Sequence, residues 1–201
     1  MYDKKKKYGE KLNKPTKKIH SKPANLLYPI PAVIISCGIE PKDHNLITVS
    51  WAGTICSDPV MLSISLRPSR HSYKIIKETG EFVVNLTDMM MVKETDFCGV
   101  RSGKEMDKWS VLRLKKSASQ QIATPQIATS PVSLECKTKQ ILSLGSHDCF
   151  IAEVVGVSVR EDLVNKSGEF NLDKANLIAY SHGSYYSLGQ KLGKFGFSVK
   201  K

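Results

Sequence analysis

The sequence predicts a mainly β fold, an antiparallel barrel or sandwich with a few short helices. Three observations carry this. Six or more stretches have strand length and alternation, and the helical stretches between them are short. Two long alternating runs, VSLECKTKQILSLG (132–145) and DCFIAEVVGVSVRED (148–162), meet at the turn-rich LGSHD (144–148), the pattern of a hairpin. No GxGxxG follows a strand and no GxxxxGK(S/T) occurs, which removes the usual α/β phosphate-binding loops.

The elements follow in order. Residues 1–25 are lysine-rich and read as a flexible lead-in, leaving 26–201 as one domain. LLYPIPAVIISCGIE enters a strand near Ala32 to Gly38, after two prolines. HNLITVSWAGT (44–54) reads as a second strand, with Asn45, Ile47, Val49 and Trp51 on one face and Leu46, Thr48, Ser50 and Ala52 on the other. VMLSISLRP (60–68) is a third, with Leu62, Ile64 and Leu66 opposite Ser63, Ser65 and Arg67. SYKIIKETG (72–80) has a hydroxyl at its start and Gly80 after its last turn, the marks of a short capped helix. EFVVNL (81–86) is a strand, and TDMMMVKETDFCGV (87–100) is helical with Thr87 or Asp88 as cap. In the first long run, Val132, Leu134, Cys136 and Thr138 alternate with Ser133, Glu135, Lys137 and Lys139.

The net charge of +11 invites a nucleic-acid partner, but its distribution argues against one. Residues 1–22 carry +7, residues 191–201 carry +4, and the body between them is neutral, with 17 basic and 17 acidic residues. No basic stripe interleaved with aromatics runs through that body, as a nucleic-acid groove requires. No apolar run approaches the length of a membrane span and the lysine-rich start has no apolar core behind it, so the expected location is the cytoplasm. Five cysteines, at 37, 56, 98, 136 and 149, are scattered and form no CxxC, which argues against a disulfide framework or a structural metal site. Cys98 is the one whose exposure matters most.

The stretch SISLRPSRHS (63–72) concentrates chemistry. Ser63, Ser65 and Arg67 share a strand face, and Ser69, Arg70, His71 and Ser72 lead into a helix start. Free N–H groups, hydroxyls and guanidinium together make a phosphate cradle. The same residues also fit a solvated strand face with a capping serine. Thr48, Ser50, Asn45 and Trp51 on the neighbouring strand suit a flat heteroaromatic ligand with polar edges; Trp51 as a core residue fits equally.

These residues, in order, resemble a known pattern: Asn-x-x-Thr-x-Ser-Trp, Asp-Pro, Ser-x-x-Pro-x-Arg-x-Ser, Gly-Glu-Phe-x-x-Asn, then DFCGVRSGKEMDKW, LGSHDCFIAEVVGV and YSHGSYYSLGQKLGKFGFS. Over about residues 26–198 the chain resembles the flavin reductase-like, FMN-binding split-barrel family, in its flavoredoxin branch. The resemblance implies a Greek-key split β-barrel, a homodimer, and FMN held non-covalently at the subunit interface. It implies that Asn45, Thr48, Val49, Ser50 and Trp51 line the flavin ring, and that Ser65, Arg67, Ser69, Arg70 and Ser72 hold the phosphate. Lys108, with Ser102 and Gly103 before it, would approach the flavin or its phosphate, and Trp109 would keep an aromatic wall. His147 and the Tyr180–Tyr186 region would lie by the exposed ring face, with His147 positioning an electron donor or relaying a proton. Electrons would come from NADH, NADPH or a redox protein. Gly145-Ser146-His147-Asp148 departs from the family's usual Gly-Asp-His, which weighs against direct NAD(P)H oxidation. Two alternatives remain: a split-barrel binding module without redox activity, and a polyanion binder that uses the lysine-rich ends.

Overall fold

The computed structural model describes residues 15–199. The expectation for residues 1–14 lies outside these; residues 15–25 are exposed and without regular structure.

The strands are β1 (Ile30–Pro31), β2 (Val33–Cys37), β3 (Asn45–Val49), β4 (Ala52–Ser57), β5 (Val60–Leu66), β6 (Glu81–Leu86), β7 (Lys116–Ser117), β8 (Gln126–Ile127), β9 (Val132–Ser143), β10 (Asp148–Val159), β11 (Ile178–Ser181) and β12 (Ser184–Ser187). Three short helices join them: α1 (His71–Thr79), α2 (Val92–Val100) and α3 (Lys108–Val111). Seven strands form one antiparallel sheet in the order β3-β2-β6-β9-β10-β5-β4. Its two end strands, β3 and β4, are consecutive in the chain and separated only by Ser50 and Trp51. Two residues reach at most about 10 Å across their three peptide links. The sheet must therefore curl until its edges meet, and the amide of Ser65 on β5 donates to the Trp51 carbonyl at 2.9 Å across that corner.

The curl encloses one core. Val33 and Ile35 of β2, Ile47 and Val49 of β3, Leu62 and Ile64 of β5, and Phe82 and Phe150 pack together, and Ile76 of α1 plugs one end. A second cluster lies on the outer face of the same strands, where Ile34, Leu46, Met91, Cys98, Trp109 and Ile127 pack beneath α2 and α3. Ile34 and Ile35 are both fully buried because adjacent residues of β2 serve the two cores.

Several expectations change here. The stretch 44–54 is not one strand: it breaks at Ser50–Trp51, so Trp51 leaves the Asn45–Ile47–Val49 face and lies 42% exposed. Ser72 does not cap α1; Arg70 holds that position without a side-chain bond, and buried Ser72 accepts from Asn45 Nδ2 at 2.8 Å. Gly80 ends α1 in the left-handed conformation, as expected, with its amide on the Ile76 carbonyl. Asp88 caps a single turn at Met89–Met91 that precedes α2, accepting from the Met90 amide. Ser133 and Glu135, on the polar face of the β9 alternation, are buried; Glu135 accepts from the amides of Gln120 and Gln121 at 2.7–3.0 Å and so pins the loop before β8. Asn85 of β6 is a satisfied buried hub. Its Nδ2 donates to the Ile34 carbonyl and to Ser36 Oγ, each at 3.0 Å, and its Oδ1 accepts from the Ile127 amide at 2.9 Å and from Ser133 Oγ at 3.0 Å.

Candidate functional site

The end of β5, the 67–70 turn and the start of α1 face the C-terminal end of α2 across a cleft of about 360 Å³. Arg67, Ser69, Arg70 and Ser72 line one side; Ser102, Gly103 and Lys108 line the other; Asn45 lies between them. A second hollow of about 290 Å³ shares Ile47, Arg67 and Arg70 with the first. Thr48, Val49, Ser50, Trp51, Ser65 and His147 line it. The two are lobes of one elongated site, and His147 and every residue expected at the flavin ring or its phosphate line one lobe or the other, whereas Trp109, Tyr185 and Tyr186 line neither.

Local structure explains each placement. Alternation along β5 buries Leu62, Ile64 and Leu66 and turns Ser65 and Arg67 outward. The turn closes when the Arg70 amide donates to the Arg67 carbonyl at 3.0 Å, which projects both guanidinium groups into the same cleft. The β10–β5 register pairs Asp148 with Leu66, so His147 stands beside Arg67. The break after β3 frees Trp51 from the core, and its ring lies 4.5 Å from the His147 ring. Trp51 is therefore a wall of the cleft and not a core residue. Trp109 is the buried tryptophan, 3% exposed in the outer core, and it lines neither lobe, contrary to the aromatic wall expected of it.

The first lobe is strongly cationic. Among the described residues no carboxylate lies within ion-pairing distance of Arg67, Arg70 or Arg101. Lys108 is only 2% exposed. Its Nζ donates to the carbonyls of Leu46 at 2.8 Å and Cys98 at 3.0 Å, leaving one N–H for the cleft. Burial depresses its pKa, opposed by the Cys98 thiol, with Arg70 adding to the depression. The same field reaches the histidines. His71 is depressed first by burial, then by Lys104 and Lys108; His147 is depressed first by burial, then by Arg67 and Arg70. His147 Nδ1 shares a 2.9 Å hydrogen bond with Ser146 Oγ. Cys98 is buried and its thiol is pushed up to about 12, which makes it a packing residue. Gly103 is required by close approach: a Cβ there would stand 2.2 Å from Asn45 Oδ1.

His71, named in the cradle stretch but given no role of its own, lines the cationic lobe; sequence reasoning missed Arg101, which lines it too and adjoins Ser102. Ile47 lines both lobes from the expected inner face of β3. Tyr28 lines the second lobe with Tyr180, but it arrives through the β1–β11 pairing and nothing in its neighbourhood announces it. The expected tyrosine region divides: Tyr180 lines the cleft, whereas the Tyr185 hydroxyl donates to Asp96 on α2 at 3.2 Å and Tyr186 is exposed.

The fold has counterparts among solved structures. The flavoredoxin of Desulfovibrio vulgaris (Miyazaki F) superposes with a TM-score of 0.84 at 26% identity, over 92% of this chain and 100% of that one. The flavoredoxin from Methanosarcina acetivorans gives 0.83 at 26% identity over the same shares. A protein with a split barrel domain from Shewanella frigidimarina gives 0.75 at 22% identity, over 84% of this chain and 86% of that one, and bears out the mainly β split-barrel fold. Residues 26–189 match the family model described as flavin reductase like domain, and that match, covering most of the chain, makes it a member of the flavin reductase-like family.

Proposed function

We propose that the protein is an FMN-binding oxidoreductase of the flavin reductase and flavoredoxin type, passing electrons from NADH, NADPH or a redox protein to an acceptor. The observation that carries this is the two-lobed cleft: unpaired guanidinium groups and hydroxyls at one end, a hydroxyl-edged aromatic hollow at the other, joined through Arg67 and Arg70. That polarity matches a phosphate monoester attached to a flat polar ring. Gly103 has no side chain because Asn45 packs against it, which lets the 102–103 segment close on Asn45 at the phosphate end.

Arg67, Arg70, Ser69 and Ser72 would hold the phosphate, helped by the first-turn amides of α1. Thr48, Val49, Ser50 and Trp51 would line the ring, with Ser65 at the junction. The Thr48 hydroxyl is already given to the Thr95 carbonyl, so at this position the backbone is the available partner. Lys108 acts on the site mainly by fixing the Leu46 and Cys98 carbonyls, keeping β3 and α2 at a set separation. Bound FMN supplies the redox chemistry, exchanging a hydride or single electrons. His147, neutral at pH 7 because burial and two arginines depress it, can accept a proton at Nε2 while Nδ1 stays with Ser146. A homodimer is part of the proposal: Trp51 and Tyr186 leave aromatic surface that a second copy would cover.

A carrier fed by a redox protein, without direct NAD(P)H oxidation, is the second reading. It is favoured by the 145–148 turn, where a serine engages His147 Nδ1 in place of the family's usual carboxylate. The visible spectrum of purified protein, followed by anaerobic mixing with NADH and NADPH, separates the readings. Flavin bands that bleach within seconds support the reductase. Bands that persist with both nucleotides select the carrier. A colourless protein that FMN does not reconstitute overturns both.

A further inference from the structure

The turn that carries His147 is a narrow projection between β9 and β10. The Leu144 amide donates to the His147 carbonyl at 3.1 Å and closes it, and Gly145 and Ser146 are exposed at its tip. The β10–β5 ladder ends at the Asp148–Leu66 pair, so His147 stands one residue beyond its last rung. That rung has an anchor from outside the sheet. Asp148 is 7% exposed, and the Tyr73 hydroxyl donates to its Oδ2 at 2.6 Å. Tyr73 is the third residue of α1. Its ring packs edge-on to Phe150 at 5.4 Å, and its amide donates to the Arg70 carbonyl at 3.0 Å. One residue thus bonds through its backbone to the turn that presents Arg67 and Arg70, and through its side chain to the start of β10. It lines neither lobe.

We propose that Tyr73 is a positioning residue for His147: its hydroxyl, bonded to Asp148, seats the 144–147 turn so that the His147 ring stays against Trp51 at the ring end of the cleft. The inference rests on the flavin reading above, which gives His147 its place there. An exposed turn bonded only to itself swings about its base unless something fixes that base. A short bond from a hydroxyl to a buried carboxylate is a strong one, and it is placed at the base. Among the described residues no lysine or arginine lies within ion-pairing distance of Asp148, so the phenol is the side chain that satisfies it. The same bond is the first cause that raises the Tyr73 pKa, which keeps the phenol a donor. The Ser146–His147 bond lies within the turn and moves with it; it orients the ring on the turn but does not locate the turn. The edge-on packing against Phe150 fixes the direction in which the Tyr73 hydroxyl points.

Full-length protein isotope-labelled at histidine Cε1 gives one NMR signal per imidazole, and His147→Gln identifies that of His147. Exposed His20 is the reference, at about pH 8, where every imidazole is neutral. In the flavin-free natural sequence the His147 signal is expected to be displaced from that of His20 by the Trp51 ring 4.5 Å away, and displaced again when FMN is added. Tyr73→Phe, which removes only the hydroxyl, should lose most of both displacements and still bind FMN as the natural sequence does, read by titration of flavin absorbance. Asp148→Asn keeps a carbonyl oxygen for the hydroxyl and should retain both displacements. A His147 signal unmoved by Tyr73→Phe overturns the proposal and leaves the flavin reading intact, even where the variant melts at a lower temperature, because Tyr73 is then structural only. Loss of FMN affinity with the His147 signal in place overturns it too, as does the lack of a second displacement when FMN binds the natural sequence. Failure of the natural sequence to bind FMN overturns the flavin reading, and the proposal with it.

Discussion

At the scale of single residues, the site is a concentration of positive charge with no ion-paired carboxylate on Arg67, Arg70 or Arg101 among the described residues. Arg67→Ala removes one guanidinium from the junction of the two lobes. It should weaken FMN binding about tenfold or more, the loss expected for a charge-assisted hydrogen bond, as read by titration of flavin absorbance. Unchanged affinity would remove the phosphate assignment. The histidines give a pH signature. His44, His71 and His147 are all depressed in the folded chain, burial being the first cause in each. A base whose pKa is lower when folded binds fewer protons in the native state, so stability is greatest above about pH 6.5 and falls as pH drops from there toward the depressed values. Thermal melts between pH 7.5 and 5 should show this decline, and His71→Asn should flatten it. Much of the cradle was legible in SISLRPSRHS because strand alternation and a turn keep its hydroxyls and arginines within ten residues. Tyr28 and the buried partners of Lys108 were not, since the groups that meet them lie far away in the chain.

At the scale of elements, strands declared themselves by alternation wherever one face met water. Alternation misleads where both faces are covered. Ser133 and Glu135 look solvated on β9, yet the segment around Gln120 and Gln121 folds over them. The corner at Ser50–Trp51 was equally hidden, because the alternating pattern continues through it while the chain changes partner from β2 to β5. Asn85 joins β6 to β2, β9 and β8, and its four partners come from segments 42 to 51 residues away. Asn85→Ala strands the Ile127 amide and the Ser133 hydroxyl in the interior. It should cost about 2–3 kcal/mol, lowering the melting temperature by roughly 5–10 °C by calorimetry. A shift under 2 °C would show that the hub is dispensable.

At the scale of the whole molecule, the curled sheet brings together a cleft whose lining, among the described residues, falls between Tyr28 and Tyr180. Removing residues 1–22 takes away +7 of the +11 net charge and leaves +4, all of it in residues 191–201. Flavin affinity should therefore survive the truncation at both low and high salt in equilibrium titrations; a large loss would move the functional charge into that segment. The mainly β class was legible from composition and pattern. Pattern alone left barrel and sandwich open, because the curl of the sheet depends on which strands end up at its two edges. That curl separates the chain's two tryptophans completely: Trp51 is turned out to form a cleft wall, and Trp109 is sealed in the outer core. The molecule thus carries two intrinsic optical reporters with different reach. Emission from Trp51 responds to what enters the cleft, and emission from Trp109 follows the integrity of the helical layer around it.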